Sequence, residues 1–211
     1  MNCLFIDTSF SSLVVGLIKD DKIHERRIES LNEHSKYLIS EIDCLFKEFN
    51  FLPKDIDKIF VINGPGSFTG IRIGLTVAKV YGWALNIDVV PISTLHAYAL
   101  SCEFKKDYYI CAMNARRENV YAGIYDSEYN SVFQEKYISI NELNENIRKL
   151  DNAIVISDVM INEEFESTEP RINIEKIYNY YKNVNGVNIH NLTPNYLKKV
   201  EAEEKLGDCI D

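Results

Sequence analysis

The stretch VINGPGSFTGIRIG, residues 61–74, constrains the fold of this chain more than any other. A short apolar run leads into a turn rich in glycine and proline, and an apolar, helix-like stretch follows. A P-loop would need Lys after the last glycine of its motif, but Ile71 follows Gly70 here, and the glycine spacing also differs from G-x-G-x-x-G. The sequence therefore predicts a tight strand-to-helix turn without a nucleotide-binding motif.

The start of the following helix allows two interpretations. Ser67 or Thr69 is suited to cap the helix, because a hydroxyl oxygen accepts a hydrogen bond from a free N–H of the first turn. The same N–H groups can hold an anion, and an acid and a hydroxyl at the end of the first strand would add to such a site. The residues of this possible vestigial nucleotide or anion site are Asp7, Thr8, Gly64, Gly66 and Ser67.

The helix predicted over residues 68–86 carries a stripe of small residues at every fourth position. Glycine destabilises a helix by about 1 kcal/mol relative to Ala, so we expect something to approach this backbone closely. The rest of the helix is apolar nearly all round, which is typical of a helix buried on more than one side. Either a second protein or the preceding predicted helix, residues 30–50, covers the outer side. The stripe consists of Gly70, Gly74, Ala78 and Gly82.

Hydrophobic periodicity predicts strands and helices in both halves of the chain. The first half reads as three strands, a helix, a strand, the glycine turn with its helix, and a further strand and helix. The second half begins again with a hairpin around the polar turn NARREN, followed by a helix, a strand and a helix at residues 174–184. We therefore predict an α/β fold with mixed sheets flanked by helices, divided into residues 1–100 and a smaller lobe of residues 101–211.

Composition narrows the class of protein further. The net charge of −9 argues against a protein that grips nucleic acid unaided, because phosphate neutralisation needs clustered Lys and Arg. The five cysteines are scattered and form no C-x-x-C, as in reduced thiols of a cytosolic protein. The N-terminus lacks the basic start of a signal peptide, and no apolar stretch reaches membrane-spanning length. We expect a soluble, cytoplasmic protein.

Other candidate sites are weak. Asp7 ends the first strand, where an acid can orient Mg²⁺ or water but is also a common turn former. His34 lacks a second histidine four positions on, because Leu38 stands there, so a helical metal site is not expected. No G-x-S-x-G nucleophile motif is present. Arg116 and Arg117 in the hairpin turn could contact an anion or RNA, or could simply be solvated.

Five segments together resemble the TsaB (YeaZ) family. The glycine motif with its helix, GPGSFTGIRIGLTVAKVYGWAL, is followed by VVPISTLHAYA, and the shorter pieces LFIDTS, EHSKYLISEID, NARRENVYAGIYD and PNYLKK fall in the same order along the chain. This resemblance implies a two-lobed fold of the actin, Hsp70 and sugar-kinase (ASKHA) class. It also implies a role in forming threonylcarbamoyladenosine in tRNA next to the anticodon.

The resemblance further implies a non-catalytic scaffold that pairs with the catalytic paralogue TsaD, joined by the ATPase TsaE, and that forms homodimers when alone. It implies tRNA contact only through the complex, no intrinsic cofactor or metal, and a nucleotide possible at the partner interface. An ATP-dependent kinase or carbamoyl transferase using Asp7 and the Gly64–Gly70 turn is the alternative, and a peptidase is the last choice. The implied partner interface on residues 30–50 and 68–86 comprises His34, Leu38, Ile42, Phe46, Gly70, Ile71, Arg72, Gly74, Leu75, Ala78 and Gly82.

Overall fold

The structure is a computed structural model that describes residues 1–29 and 34–198, without the side chain of His34. The chain divides into two units. Unit 1 comprises Met1–Glu103 and Arg171–Asn195, and unit 2 comprises Phe104–Pro170 and, of the described C-terminal residues, 196–198.

The sheet of unit 1 has five strands in the order β3-β2-β1-β4-β5. Strands β1, β2 and β3 form an antiparallel meander, whereas β4 and β5 run parallel to β1. Strand β1 is entirely buried, as expected of a central strand covered on both faces. The bounds are β1 Cys3–Asp7, β2 Ser12–Lys19, β3 Lys22–Glu29, β4 Lys58–Gly64 and β5 Asp88–Ser93.

The first three helices of the chain belong to unit 1. They are α1 His34–Glu48, α2 Phe68–Leu85 and α3 Thr94–Ser101. Apolar residues of α1 and α2 form one core with one face of the sheet, in which Leu38 and Ile42 are fully buried. Asn86 ends α2 in the left-handed conformation, with φ 53°, and the Ser93 hydroxyl accepts the N–H of Leu95 at the start of α3.

The sheet of unit 2 has the order β10-β9-β6-β7-β8 and repeats the pattern of unit 1. Strands β6, β7 and β8 form an antiparallel meander, and β9 and β10 run parallel to β6. Strands β8 and β10 were not predicted from the sequence. The bounds are β6 Tyr108–Asn114, β7 Asn119–Asp126, β8 Ser131–Ser139, α4 Ile140–Ile147, β9 Ala153–Ser157 and β10 Glu166–Thr168.

The last helix, α5 Ile174–Tyr181, corrects the predicted domain division. The boundary after Glu103 lies close to residue 100, but assigning all of 101–211 to one lobe is wrong, because Arg171–Asn195 returns to unit 1. The physical reason is apolar packing on the sheet face opposite α1 and α2. Ile174 packs over Gly16, and the ring of Tyr178 meets that of Phe60 edge-on at 6.3 Å.

Candidate partner-binding face and the glycine turn

The glycine turn joins β4 to α2 in unit 1. Strand β4 ends at Gly64, the Gly64–Pro65 peptide bond is cis, and Ser67 is the N-cap of α2. The Ser67 hydroxyl accepts a hydrogen bond from the Gly70 N–H at 3.2 Å. The prediction that Ser67 or Thr69 caps this helix is therefore confirmed for Ser67.

The five residues of the predicted anion site lie around this turn, but their polar groups bond within the chain. The Ser67 N–H donates to the Ser9 carbonyl at 2.7 Å, and the Thr8 hydroxyl donates to the Gly70 carbonyl at 2.7 Å. The Asp7 carboxylate, in a residue 4% exposed, accepts from both the N–H and the hydroxyl of Ser9. These bonds join the end of β1 to the start of α2, so the arrangement is accounted for by packing within the chain.

The small-residue stripe faces this same joint and not the solvent. A Cβ on Gly70 would overlap the Thr8 carbonyl oxygen, and one on Gly74 would lie 2.5 Å from the Thr8 hydroxyl oxygen. At the far end of the helix, a Cβ on Gly82 would lie 2.6 Å from a methyl carbon of Val89 in β5. Ala78 is fully buried between these points. The close approach predicted for the stripe is real, but its partner is the chain's own sheet, so assigning these four residues to a protein interface is wrong.

The larger residues predicted for the interface are mostly core residues as well. Their side chains pack between the helices and the sheet, so they are not presented to a partner in this structure. Arg72 is exposed on α2, and His34 begins α1 with its side chain outside the described residues. The buried residues are Leu38, Ile42, Phe46, Ile71 and Leu75.

A different set of apolar residues lies on the surface of the two helices. We call this set the outer face. Trp83 is 75% exposed and Val80 58% exposed, both in the C-terminal half of α2. An open groove of about 410 Å³ runs between α1 and the N-terminal half of α2, with Leu38 on its floor. The outer face comprises Ile39 on α1 and Phe68, Ile73, Val77, Val80 and Trp83 on α2.

Polar and charged groups border this face. The Arg72 guanidinium lies 3.8 Å from the centroid of the Phe68 ring, and the Thr76 hydroxyl donates to the Arg72 carbonyl at 2.7 Å. On α1, the Lys47 ammonium pairs with the Asp43 carboxylate at 2.6 Å. Burial, and to a lesser degree the carboxylate of Asp43, raises the pKa of Tyr81, so its hydroxyl is neutral at pH 7. An apolar surface with a polar margin is the usual composition of a protein interface.

The sequence contained a signal for the outer face, although the stripe obscured it. Helix α2 is apolar nearly all round, whereas the sheet and α1 can cover only two of its sides. Positions 73, 77, 80 and 83 follow a helical period on the side that the small residues leave free. The small residues mark the side that approaches the sheet, so the partner-binding side should have been sought across the helix from them.

Metal and thiol chemistry find no arrangement in the described residues. No group of three or more His, Cys, Asp or Glu side chains among residues 1–29 and 35–198 is placed to hold a metal ion. His24 stacks on the Phe49 ring at 3.7 Å, and Nδ1 of His96 lies 2.6 Å from the Tyr181 hydroxyl. Burial raises the pKa of the Cys3 thiol to about 12, which makes it a poor nucleophile. No described helix is long and apolar enough to cross a membrane.

The fold and the relatives identify the chain in two steps. Two mixed sheets with the same strand order, flanked by helices, define an ASKHA-class protein. The structure of YeaZ from Pseudomonas aeruginosa superposes with a TM-score of 0.79 at 21% identity, over 93% of this chain and 99% of that one.

Sequence comparison then gives the family. Residues 28–182 match the family model described as TsaD, tRNA N6-adenosine threonylcarbamoyltransferase. The tRNA threonylcarbamoyladenosine biosynthesis protein TsaB of Bacillus subtilis (strain 168) is 28% identical, over 97% of each chain. The tRNA N6-adenosine threonylcarbamoyltransferase of Chlorobaculum tepidum is 26% identical, over 48% of this chain and 33% of that protein. The chain belongs to the family that this model describes, on its TsaB (YeaZ) branch.

Proposed function

We propose that the chain is a non-catalytic subunit in the synthesis of threonylcarbamoyladenosine in tRNA, and that it pairs with a TsaD-like catalytic paralogue in the cytoplasm. The observation that carries this proposal is the outer face, which leaves Val80 and Trp83 exposed on a helix whose other sides are sealed. Burying such residues against a partner is favourable by about 25 cal/mol per Å² of apolar surface. The similarity to both TsaB and TsaD proteins supports the partner class.

The same face gives the expected order of assembly. Alone, the chain would bury its outer face against a second copy, as a homodimer, and a TsaD-like partner would displace that copy. A TsaE-like ATPase would join the pair, and a nucleotide could be held where the subunits meet. In this proposal Asp7 and the glycine turn act structurally, since their hydrogen bonds join β1 to α2.

The experiment that tests the proposal compares charge placed on and off the outer face. Trp83→Glu would put a carboxylate at the centre of the exposed apolar surface of α2. Met160→Glu is the matched control, because Met160 is also highly exposed but lies in unit 2. The molar mass of each chain is measured by light scattering on a sizing column, first alone and then with TsaD from the same organism.

We expect the native chain and Met160→Glu to form a one-to-one complex with TsaD, and Trp83→Glu to lose it while remaining folded. The expected loss of affinity is at least tenfold, since exposed aromatic residues dominate such interfaces. Equal pairing by all three chains would move the interface elsewhere. A native chain that stays monomeric and ignores TsaD would overturn the proposal, and ATP turnover lost in Asp7→Ala would then support the kinase alternative.

A further inference from the structure

The turn between β6 and β7, residues 114–119, has an unusual backbone. Arg116, Arg117 and Glu118 follow one another with φ of 65°, 52° and 58°. Left-handed backbone is uncommon for residues other than Gly, Asn and Asp, because Cβ approaches the following carbonyl oxygen. Three such residues in succession are retained only where the surroundings hold them, and strain of this kind is concentrated at functional sites.

Hydrogen bonds hold this turn on every side. The Asn114 side-chain oxygen accepts the Arg116 N–H at 2.8 Å, and the Asn119 side-chain amide donates to the Arg117 carbonyl at 2.7 Å. The Glu118 carbonyl accepts the N–H of Ile140, which begins helix α4. The backbone positions of both arginines are therefore fixed before any ligand arrives.

The two guanidinium groups have no ion pair, hydrogen bond or ring contact with the described residues 1–29 and 34–198. Elsewhere in the chain, Arg26 pairs with Glu41 and Glu48, and Arg27 pairs with Glu25. Both turn arginines are exposed. An arginine pair presented on a rigid, strained turn suits bidentate contact with phosphate oxygens.

Aromatic rings lie next to this turn on the same sheet. Tyr121 of β7 is the cross-strand partner of Tyr137 of β8, and their half-exposed rings are 5.8 Å apart. The Lys198 ammonium lies 4.8 Å from the centroid of the Tyr137 ring. Aromatic rings beside cationic groups that follow a phosphate backbone are the usual elements of single-strand nucleic acid recognition.

We propose that the turn of residues 114–119 and the Tyr121–Tyr137 pair bind a single-stranded segment of RNA directly. Arg116 and Arg117 contact consecutive phosphates, and the bases of the same strand stack on the tyrosine rings. The acidic net charge of the chain confines this contact to the local cluster, where Glu118 and Asp158 are the nearest acids along the turn and its hydrogen-bond network. The site lies within unit 2 and does not depend on the pairing proposed for the outer face.

The test uses the full chain and a short, fluorescently labelled oligouridylate, with anisotropy measured between about 50 and 200 mM KCl. Arg116→Ala/Arg117→Ala is compared with Arg148→Ala/Lys149→Ala, which removes the same charge from exposed positions at the end of α4. We expect only the first pair to weaken binding at least tenfold. It should also lower the slope of log affinity against log salt by about 1.4, that is about 0.7 for each phosphate.

Two further arms decide the ligand. Tyr137→Ala should weaken binding about tenfold and Tyr137→Phe should restore it, because stacking needs the ring and not the hydroxyl. Excess adenosine monophosphate should not displace the strand. No binding of the native chain at the lowest salt, equal losses in both charge variants, or displacement by adenosine monophosphate would each overturn the proposal. TsaD binding by Arg116→Ala/Arg117→Ala should stay unchanged, which separates this test from that of the outer face.

Discussion

Units 1 and 2 have the same strand order and the same pattern of parallel and antiparallel strands, but they use different helices to cover their sheets. In unit 1, helices α1 and α2, 15 and 18 residues long, cover one face, and α3 and α5 lie on the other. In unit 2, the described residues contain one helix, α4, of 8 residues, and a loop joins β9 to β10 where α2 joins β4 to β5 in unit 1.

This difference shows how one topology can serve two purposes. The long α2 extends past the apolar surface that sheet and α1 can cover, and the excess remains exposed as the outer face. The short α4 buries Leu143 and Ile147 and exposes polar residues, so it closes its core without leaving an apolar surface. Unit 1 therefore offers a helix face to a partner, whereas unit 2 offers the tip of its hairpin.

The largest effect is expected where unit 2 depends on its single helix. Leu143→Ala should lower the free energy of unfolding by about 3 kcal/mol, because Leu143 is fully buried and no second helix can close the cavity. Urea unfolding followed by circular dichroism measures the loss. Glu145→Ala, exposed on the same helix, should stay within about 0.5 kcal/mol. A loss below about 1 kcal/mol for Leu143→Ala would mean that α4 is not what seals this sheet.

The next effect separates packing from helix propensity in unit 1. Gly74→Ala would gain about 1 kcal/mol by propensity alone. We expect instead a net loss of about 2 kcal/mol, because the added Cβ would lie 2.5 Å from the Thr8 hydroxyl oxygen. The measurement is again urea unfolding, with the exposed Thr76→Ala as control. A stabilised Gly74→Ala would show that α2 can move away from β1, and would return the stripe to the list of candidate partner contacts.

The helix caps of the two units should be matched. Ser67→Ala and Ser139→Ala each remove a hydroxyl that accepts a first-turn N–H, at 3.2 Å in α2 and 3.1 Å in α4. Each should cost about 1 kcal/mol of stability, whereas the Ser→Gly versions should cost only about a few tenths. Thermal unfolding of the four variants checks this. A much larger loss at Ser67 than at Ser139 would mean that the glycine turn contributes beyond its capping bond.

The smallest effect on stability is expected at the outer face itself. Trp83→Ala should change the free energy of unfolding by less than about 0.5 kcal/mol, because the side chain is 75% exposed. Trp83 is the single tryptophan of the chain, so its fluorescence reports directly on this face. We expect emission typical of a solvated indole that shifts to shorter wavelength when TsaD is added. Emission typical of a buried indole in the dilute chain alone would show that the face is already covered.

Much of the fold could be predicted from the sequence, because periodicity and capping act locally. The 3.6-residue period of α1 and α2, the hairpin around NARREN and the Ser67 cap each follow from a few neighbouring residues. Strands β8 and β10 were missed, since edge strands carry a weaker apolar pattern. The return of Arg171–Asn195 to unit 1 was also missed, because it depends on where Ile174 and Tyr178 find apolar surface.

The sequence by itself determined the elements, the α/β class, and the fact that something approaches the backbone of α2 closely. Only the tertiary structure decided what that something is. Gly74 shows the reason: a missing side chain reveals that space is needed but carries no information about which atoms fill it, here those of Thr8. The identity of the exposed face follows from the same placement, since Trp83 and Val80 become surface residues only after β1 and β5 have taken the opposite side of the helix.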